Sequence, residues 1–208
     1  MIRFTIRLLG RSMRWVAPAI VYLLWVGLIL ANPGPASSNA VAALPVHAMV
    51  LCWLSVVIGN IDDTGHRELC TALIGSPSRL LLTRAASAVV VALVASTVAA
   101  AALMVFSVPR SVSVGGSAAV FALELAGCIV GVGIGSALHR PMVRHVGLTV
   151  VGAVAALLAC LAVPPVTHLL REIDAGDTGA SYLLLASASV AAAALAGSAA
   201  LLTRRFAR

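Results

Sequence analysis

The densest group of chemically capable side chains is Asp62-Asp63-x-x-His66-x-Glu68. Carboxylates and an imidazole this close together are the material of a metal-assisted hydrolase or transferase. Asp62, Asp63 and His66 supply at most three metal ligands. Acid-rich phosphotransferase chemistry asks for four or more carboxylates, only Glu68 is added, and no second acidic motif occupies another polar connection on that side. A lipid-processing membrane enzyme with an Asp/His site at the interface is therefore the rival reading, not the leading one.

Other reactive side chains stand apart. Glu124 is the one acid inside an apolar stretch, where a carboxylate is costly and marks a functional candidate. Counted from Ser117 it sits about 10 Å into its helix, within reach of water or of Arg110, and it is the candidate for a translocation pathway. His47 also lies within an apolar stretch, with a hydrogen bond to a neighbouring helix as its expected role; His66, His139, His145 and His168 fall in connections, without metal-ligand spacing. Cys52, Cys70, Cys128 and Cys160 form no metal pattern and are read as small packing residues rather than a disulfide framework.

Positioning these groups falls to long apolar runs. The chain has 208 residues, 61% hydrophobic and 10% charged, where a soluble domain is nearer 45–50% and about 25%. No charged side chain interrupts Ala85–Val108, Val146–Val163 or Tyr182–Thr203. Such runs match the roughly 20 residues that cross a bilayer as helix. The pattern predicts an all-α membrane protein of one domain over residues 1–208, with six spans: Trp15–Ala31, Ala40–Ile61, Ala85–Ser107, Ser117–Leu138, Val146–Val163 and Tyr182–Thr203. Ser38-Asn39-Ala40 is a weak cleavage-like site, and the first span is read as retained.

All 14 basic residues are arginine. Arg3, Arg7, Arg11, Arg14, Arg67, Arg79, Arg84, Arg140, Arg144, Arg204, Arg205 and Arg208 fall on one side of this layout, and only Arg110 and Arg171 on the other, beside Glu172, Asp174 and Asp177. Twelve against two places both termini and the 62–84 connection in the cytoplasm. Arginines spread between apolar spans argue for membrane topology and against a nucleic-acid partner. In the arm 1–14, Arg3, Arg7, Arg11 and Arg14 share one helical face, opposite Ile2, Ile6, Leu9 and Met13. That arm is expected to lie at the bilayer surface with its guanidinium groups among lipid headgroups. The outer loop 164–181 holds a further short helix over Val166–Ile173. Gly127, Gly131 and Gly135, at intervals of four, are expected to bring their helix close to a neighbour within the chain.

The 62–84 connection is long for a link between two helices, which needs as few as 3–6 residues. Its acidic start favours a helix N-terminus, Gly75-Ser76-Pro77 ends that helix, and an apolar run leads into the third span. Mixed acid, base and apolar character over this length suggests a docking surface.

The acidic lead, Gly65-x-x-Glu68-Leu69 and the turn Pro77-x-Arg79 resemble the coupling helix of type-2 ABC exporter permeases. The six-span layout, basic N-terminal arm, glycine-rich fourth span and outer excursion before the sixth resemble that family along the whole chain. Asp62-Asp63-Thr64 replaces its more usual Arg/Glu-rich lead, and Glu68 to Pro77 is about three residues, nearly one helical turn, longer than its commonest form. The resemblance implies that Asp63, Gly65, Glu68, Pro77 and Arg79 couple to a separate ABC ATP-binding subunit. It implies a second copy of the chain, or a related permease subunit, as a further partner. ATP and Mg would be held by the ATP-binding subunit, with no cofactor in this chain. In agreement, a chain without lysine has no Walker A loop. The expected role is that of the permease subunit of an exporter in a bacterial plasma membrane, not an enzyme by itself, moving a hydrophobic or amphipathic drug, peptide or lipid.

Overall fold

A computed structural model describes residues 2–31, 34–61, 70–72, 75, 77–106, 114–138, 155, 164–174, 179–180 and 182–190. They are helical, with no strand among them. The elements are α1 (Ile2–Ser12), α2 (Val16–Leu30), α3 (Ala36–Gly59), α4 (Pro77–Phe106), α5 (Val114–Leu138) and α6 (Pro164–Asp174). Residues 182–190 are helical as well. Three helices are long and apolar enough to cross a membrane: Ala36–Gly59, Leu82–Phe106 and Gly115–Leu138. A fourth is reached if the bent pair Arg3–Ser12 and Val16–Ile29 counts as one span. The predicted fifth span, apart from Ala155, and the sixth beyond residue 190 lie outside the described residues.

Helix starts differ from expectation where local chemistry outranks hydropathy. Pro35 precedes α3 in an extended conformation, and Asn39 donates from Nδ2 to Gly34 O at 3.3 Å, so α3 begins at Ala36 instead of Ala40. Pro77 is the first residue of α4, a position where the missing N–H is not needed. Gly75 ahead of it takes φ +74, the left-handed conformation that stops a helix, and its N–H donates to Thr71 O. The break expected at Gly75-Ser76-Pro77 is therefore present, and α4 runs unbroken from Pro77 to Phe106, the last described residue of the third predicted span.

The core is built around α3. It packs against α2, α4, α5 and α6, and most closely against α5. Small residues make this approach possible. A β-carbon on Gly131 would be driven into the backbone oxygen of Ala48, and one on Gly135 would meet Cys52 O at 2.5 Å. One on Gly127 would press on side chains, the Leu44 Cδ1 methyl and the His47 ring at 2.9 and 3.2 Å, with the nearest backbone atom, Ala48 N, in ordinary contact at 3.9 Å. Later glycines meet later residues of α3, so α3 and α5 run parallel. The glycine row serves packing within the chain.

Burial runs against apolarity. The α4 segment is the most apolar of the three long helices and the least buried; the α5 segment is the least apolar and the most buried. Outward positions of α4 carry Val90, Leu93, Val94, Val98 and Phe106, and α2 exposes Leu23, Leu24 and Leu28. A protein folding in water arranges its apolar faces the other way, toward its core. A multi-pass membrane protein is consistent with these helices. Polar side chains on α4 turn to their own backbone: Thr83, Ser87 and Thr97 donate to the carbonyls of Arg79, Thr83 and Leu93.

Candidate functional site

Four helices place a polar side chain at one level. His47 lies eleven residues past Ala36 on α3, Glu124 ten past Val114 on α5, and Ser96 ten before Phe106 on the oppositely directed α4. At 1.5 Å per residue each is about 15 Å from the same end of the bundle. Tyr22 of α2 joins them, its ring centroid 5.2 Å from that of His47. A depth of about 15 Å is half the thickness of a 30 Å hydrocarbon layer.

The contacts are specific. His47 Nε2 stands 2.9 Å from Ser96 Oγ and 3.1 Å from Glu124 Oε2. Ser96 Oγ donates to the backbone oxygen of Glu124 at 3.3 Å, and Cys128 lies one turn further along α5. His47 is 1% exposed and Glu124 not at all. The approach of Nε2 to Oε2 is close but not aligned as a hydrogen bond. Among the described residues both Glu124 carboxyl oxygens and the Tyr22 hydroxyl are buried without a hydrogen-bond partner. Buried polar atoms left in this state are rare and need a reason. The Tyr22 ring also walls an apolar cleft of about 390 Å³ shared by Leu9, Trp15, Leu51, Val91 and Ala99.

Glu124 sits deeper than its sequence position suggested, because α5 begins at Val114, three residues before Ser117. Its neighbour is His47; Arg110 lies outside the described residues. The expected hydrogen bond from His47 to another helix is present, to Ser96 of α4, with Glu124 of α5 close by but not bonded.

A second polar site closes the opposite end of the bundle. The guanidinium of Arg84, buried, donates to Gly59 O at 3.0 Å, and exposed Arg14 donates to Asn60 O at 3.4 Å. Two cations thus serve the final carbonyls of α3, which lack partners within the helix. Arg14 reaches them because Met13 turns the chain, at φ 54, between α1 and α2, whose axes differ by 79°. On α1, Arg3, Arg7 and Arg11 are exposed while Thr5 and Leu9 are buried. Leu9 joins Ile58, Ile61, Ala88 and Ala92 in one apolar cluster.

Of the coupling candidates, Asp63, Gly65 and Glu68 lie outside the described residues, as do Asp62 and His66 of the rival site. Pro77 opens α4, and Arg79 is exposed in its first turn. Cys52, Cys70 and Cys128 are buried free thiols, and Cys160 lies outside the described residues. Among the described residues no group of three or more His, Cys, Asp or Glu side chains is placed to hold a metal ion. No family model, curated protein or solved structure matches the chain.

Proposed function

We propose that the chain is the membrane subunit of an ATP-driven exporter of the type-2 ABC kind, carrying a hydrophobic or amphipathic substrate out of a bacterial cell. On this reading it spans the plasma membrane six times with both termini in the cytoplasm. It pairs with a second copy or a related subunit, and leaves ATP hydrolysis to a separate protein. The arginine face of α1 then lies among lipid headgroups.

The observation that carries the reading is the clasp around the 62–84 connection. Its entry follows the end of α3, which Arg14 and Arg84 hold; its exit is α4, which α1 meets around Ala88 and Ala92. Load applied to the connection reaches the central helix, its neighbour and the N-terminal arm together. A partner that closes on ATP needs such a mechanical input, and the motif Gly65-x-x-Glu68-Leu69 supplies a surface for it.

The test is purification of the full chain from its host with Glu68→Arg, alongside Arg208→Glu as control. Reversing a charge at a docking anchor leaves the partner's charge unpaired, a loss of about 2–5 kcal/mol. Glu68→Arg is expected to release a nucleotide-binding protein that the parent and Arg208→Glu both retain. A parent chain that purifies without such a partner, or a Glu68→Arg chain that keeps it, sinks the reading.

A further inference from the structure

We propose that Glu124 is a proton-binding site in the depth of the bundle, and that His47 reads its occupancy by choosing between two acceptors. The inference is independent of any ATPase docking at the 62–84 connection.

The argument starts from one hydrogen. Ser96 has a single hydroxyl proton and commits it to the backbone oxygen of Glu124. In the 2.9 Å contact with His47, Ser96 Oγ is therefore the acceptor and Nε2–H the donor. Directed at Ser96, that proton is unavailable to Glu124 Oε2, although Nε2 is only 3.1 Å away. Both carboxyl oxygens are then left with no donor in an apolar interior. An ionised carboxylate in such a place is far costlier than a neutral one. The arrangement is that of a carboxylic acid holding its own proton beside a neutral imidazole. Glu124 has no exposure, so the cation that fits the site as it stands is a proton.

The empty state follows with atoms and charge in balance. The carboxyl O–H bond breaks, its electron pair stays on oxygen, and the proton leaves to the aqueous phase. Nε2 keeps its own proton and redirects it from Ser96 Oγ to Glu124 Oε2, giving the new carboxylate a donor. In the loaded state His47 ties α3 to α4; in the empty state it ties α3 to α5. The other titratable groups nearby are Tyr22 on α2, Cys52 on α3 and Cys128 on α5. From α4 the facing group is Ser96, which does not titrate. Helix α6 meets the core through Leu169, Leu170 and Ile173, with His168 and Arg171 exposed and Glu172 half-buried. The arginines of α1 are exposed.

The test is infrared difference spectroscopy of the full chain in lipid nanodiscs across a pH titration, following the C=O stretch of protonated carboxylic acid. A component missing from Glu124→Gln isolates this residue among the seven acids of the chain. Two further variants are expected to move its midpoint in opposite directions. Ser96→Ala removes the competing acceptor, frees Nε2–H for the carboxylate, and should let the proton go at a pH about one unit lower, a tenfold change. His47→Phe, which keeps a ring and takes away the donor, should make the band persist to a pH about one unit higher. A purely structural pair would not give opposite signs. If His47→Phe does not fold, the Ser96→Ala shift alone decides. No component specific to Glu124, a Ser96→Ala midpoint that is unmoved or raised, or a midpoint that shifts with sodium concentration, overturns the proposal.

Discussion

Helices α4 and α5 flank the same central helix and are built on opposite principles. Over an 18-residue apolar stretch of each, 28% is buried in α4 and 67% in α5. The α4 span spends valine, leucine and phenylalanine on its outward wall; α5 spends glycine and alanine on its inward one. Large apolar side chains gain little from packing in a bundle whose surroundings are as apolar as its interior, whereas a missing side chain allows backbones to touch. Along the α3–α5 seam it is small side chains, at Gly131 and Gly135, that bring the helices into contact, whereas bulky ones line the outward wall of α4.

That contrast can be broken in graded steps. Gly131→Ala should have the largest effect, because its β-carbon meets the backbone of Ala48, which cannot step aside. A loss of about 2–3 kcal/mol is expected from overpacking of this kind, read as an earlier unfolding midpoint on titration of micelles with SDS. An unmoved midpoint would mean that α3 and α5 do not touch there. Gly127→Ala sharpens the point, since its nearest obstacle is the end of the Leu44 side chain, which can rotate. The expected loss is about 1 kcal/mol or less, and a cost equal to that of Gly131→Ala would show that the seam is uniformly rigid. The smallest effect belongs to α4. Val98→Leu on its outward wall should leave the midpoint within about 0.5 kcal/mol. A larger change would place Val98 against protein instead of lipid.

Much of this was legible in the residues. Apolar runs gave the helices, the four-residue glycine spacing gave the close seam, and Gly75-Ser76-Pro77 gave the break before α4. Glu124 was conspicuous by type, yet its partner was not. The two residues are 77 apart in sequence, and pairing them needs the depth of each within its helix. Depth depends on where helices start: Pro35 and Asn39 set the start of α3, and α5 begins at Val114, where hydropathy alone put both starts later. With the starts known, a simple rule emerges: polar residues equally distant from the same face of the bundle meet. His47, Ser96 and Glu124 satisfy it. Arg14 and Arg84 were legible as topology signals but not as caps, because positive charge at a span's end says which side it occupies and not which carbonyl it serves.

The bend at Met13 has a mechanical side. A residue other than glycine in the left-handed region carries about 1–2 kcal/mol of strain, which marks a point where two rigid rods join instead of one rod curving. Beyond it α1 extends eleven residues, an arm about 16 Å long, so a swing of about 10° at Met13 moves its tip about 3 Å. Leu9 sits near the pivot and Arg3 near the tip. The same swing barely disturbs the apolar contact with α4 and displaces the outermost guanidinium by roughly the width of an atom. A surface that presses on or releases that tip therefore acts through a lever whose fulcrum is bound, through Arg14, to the end of the central helix.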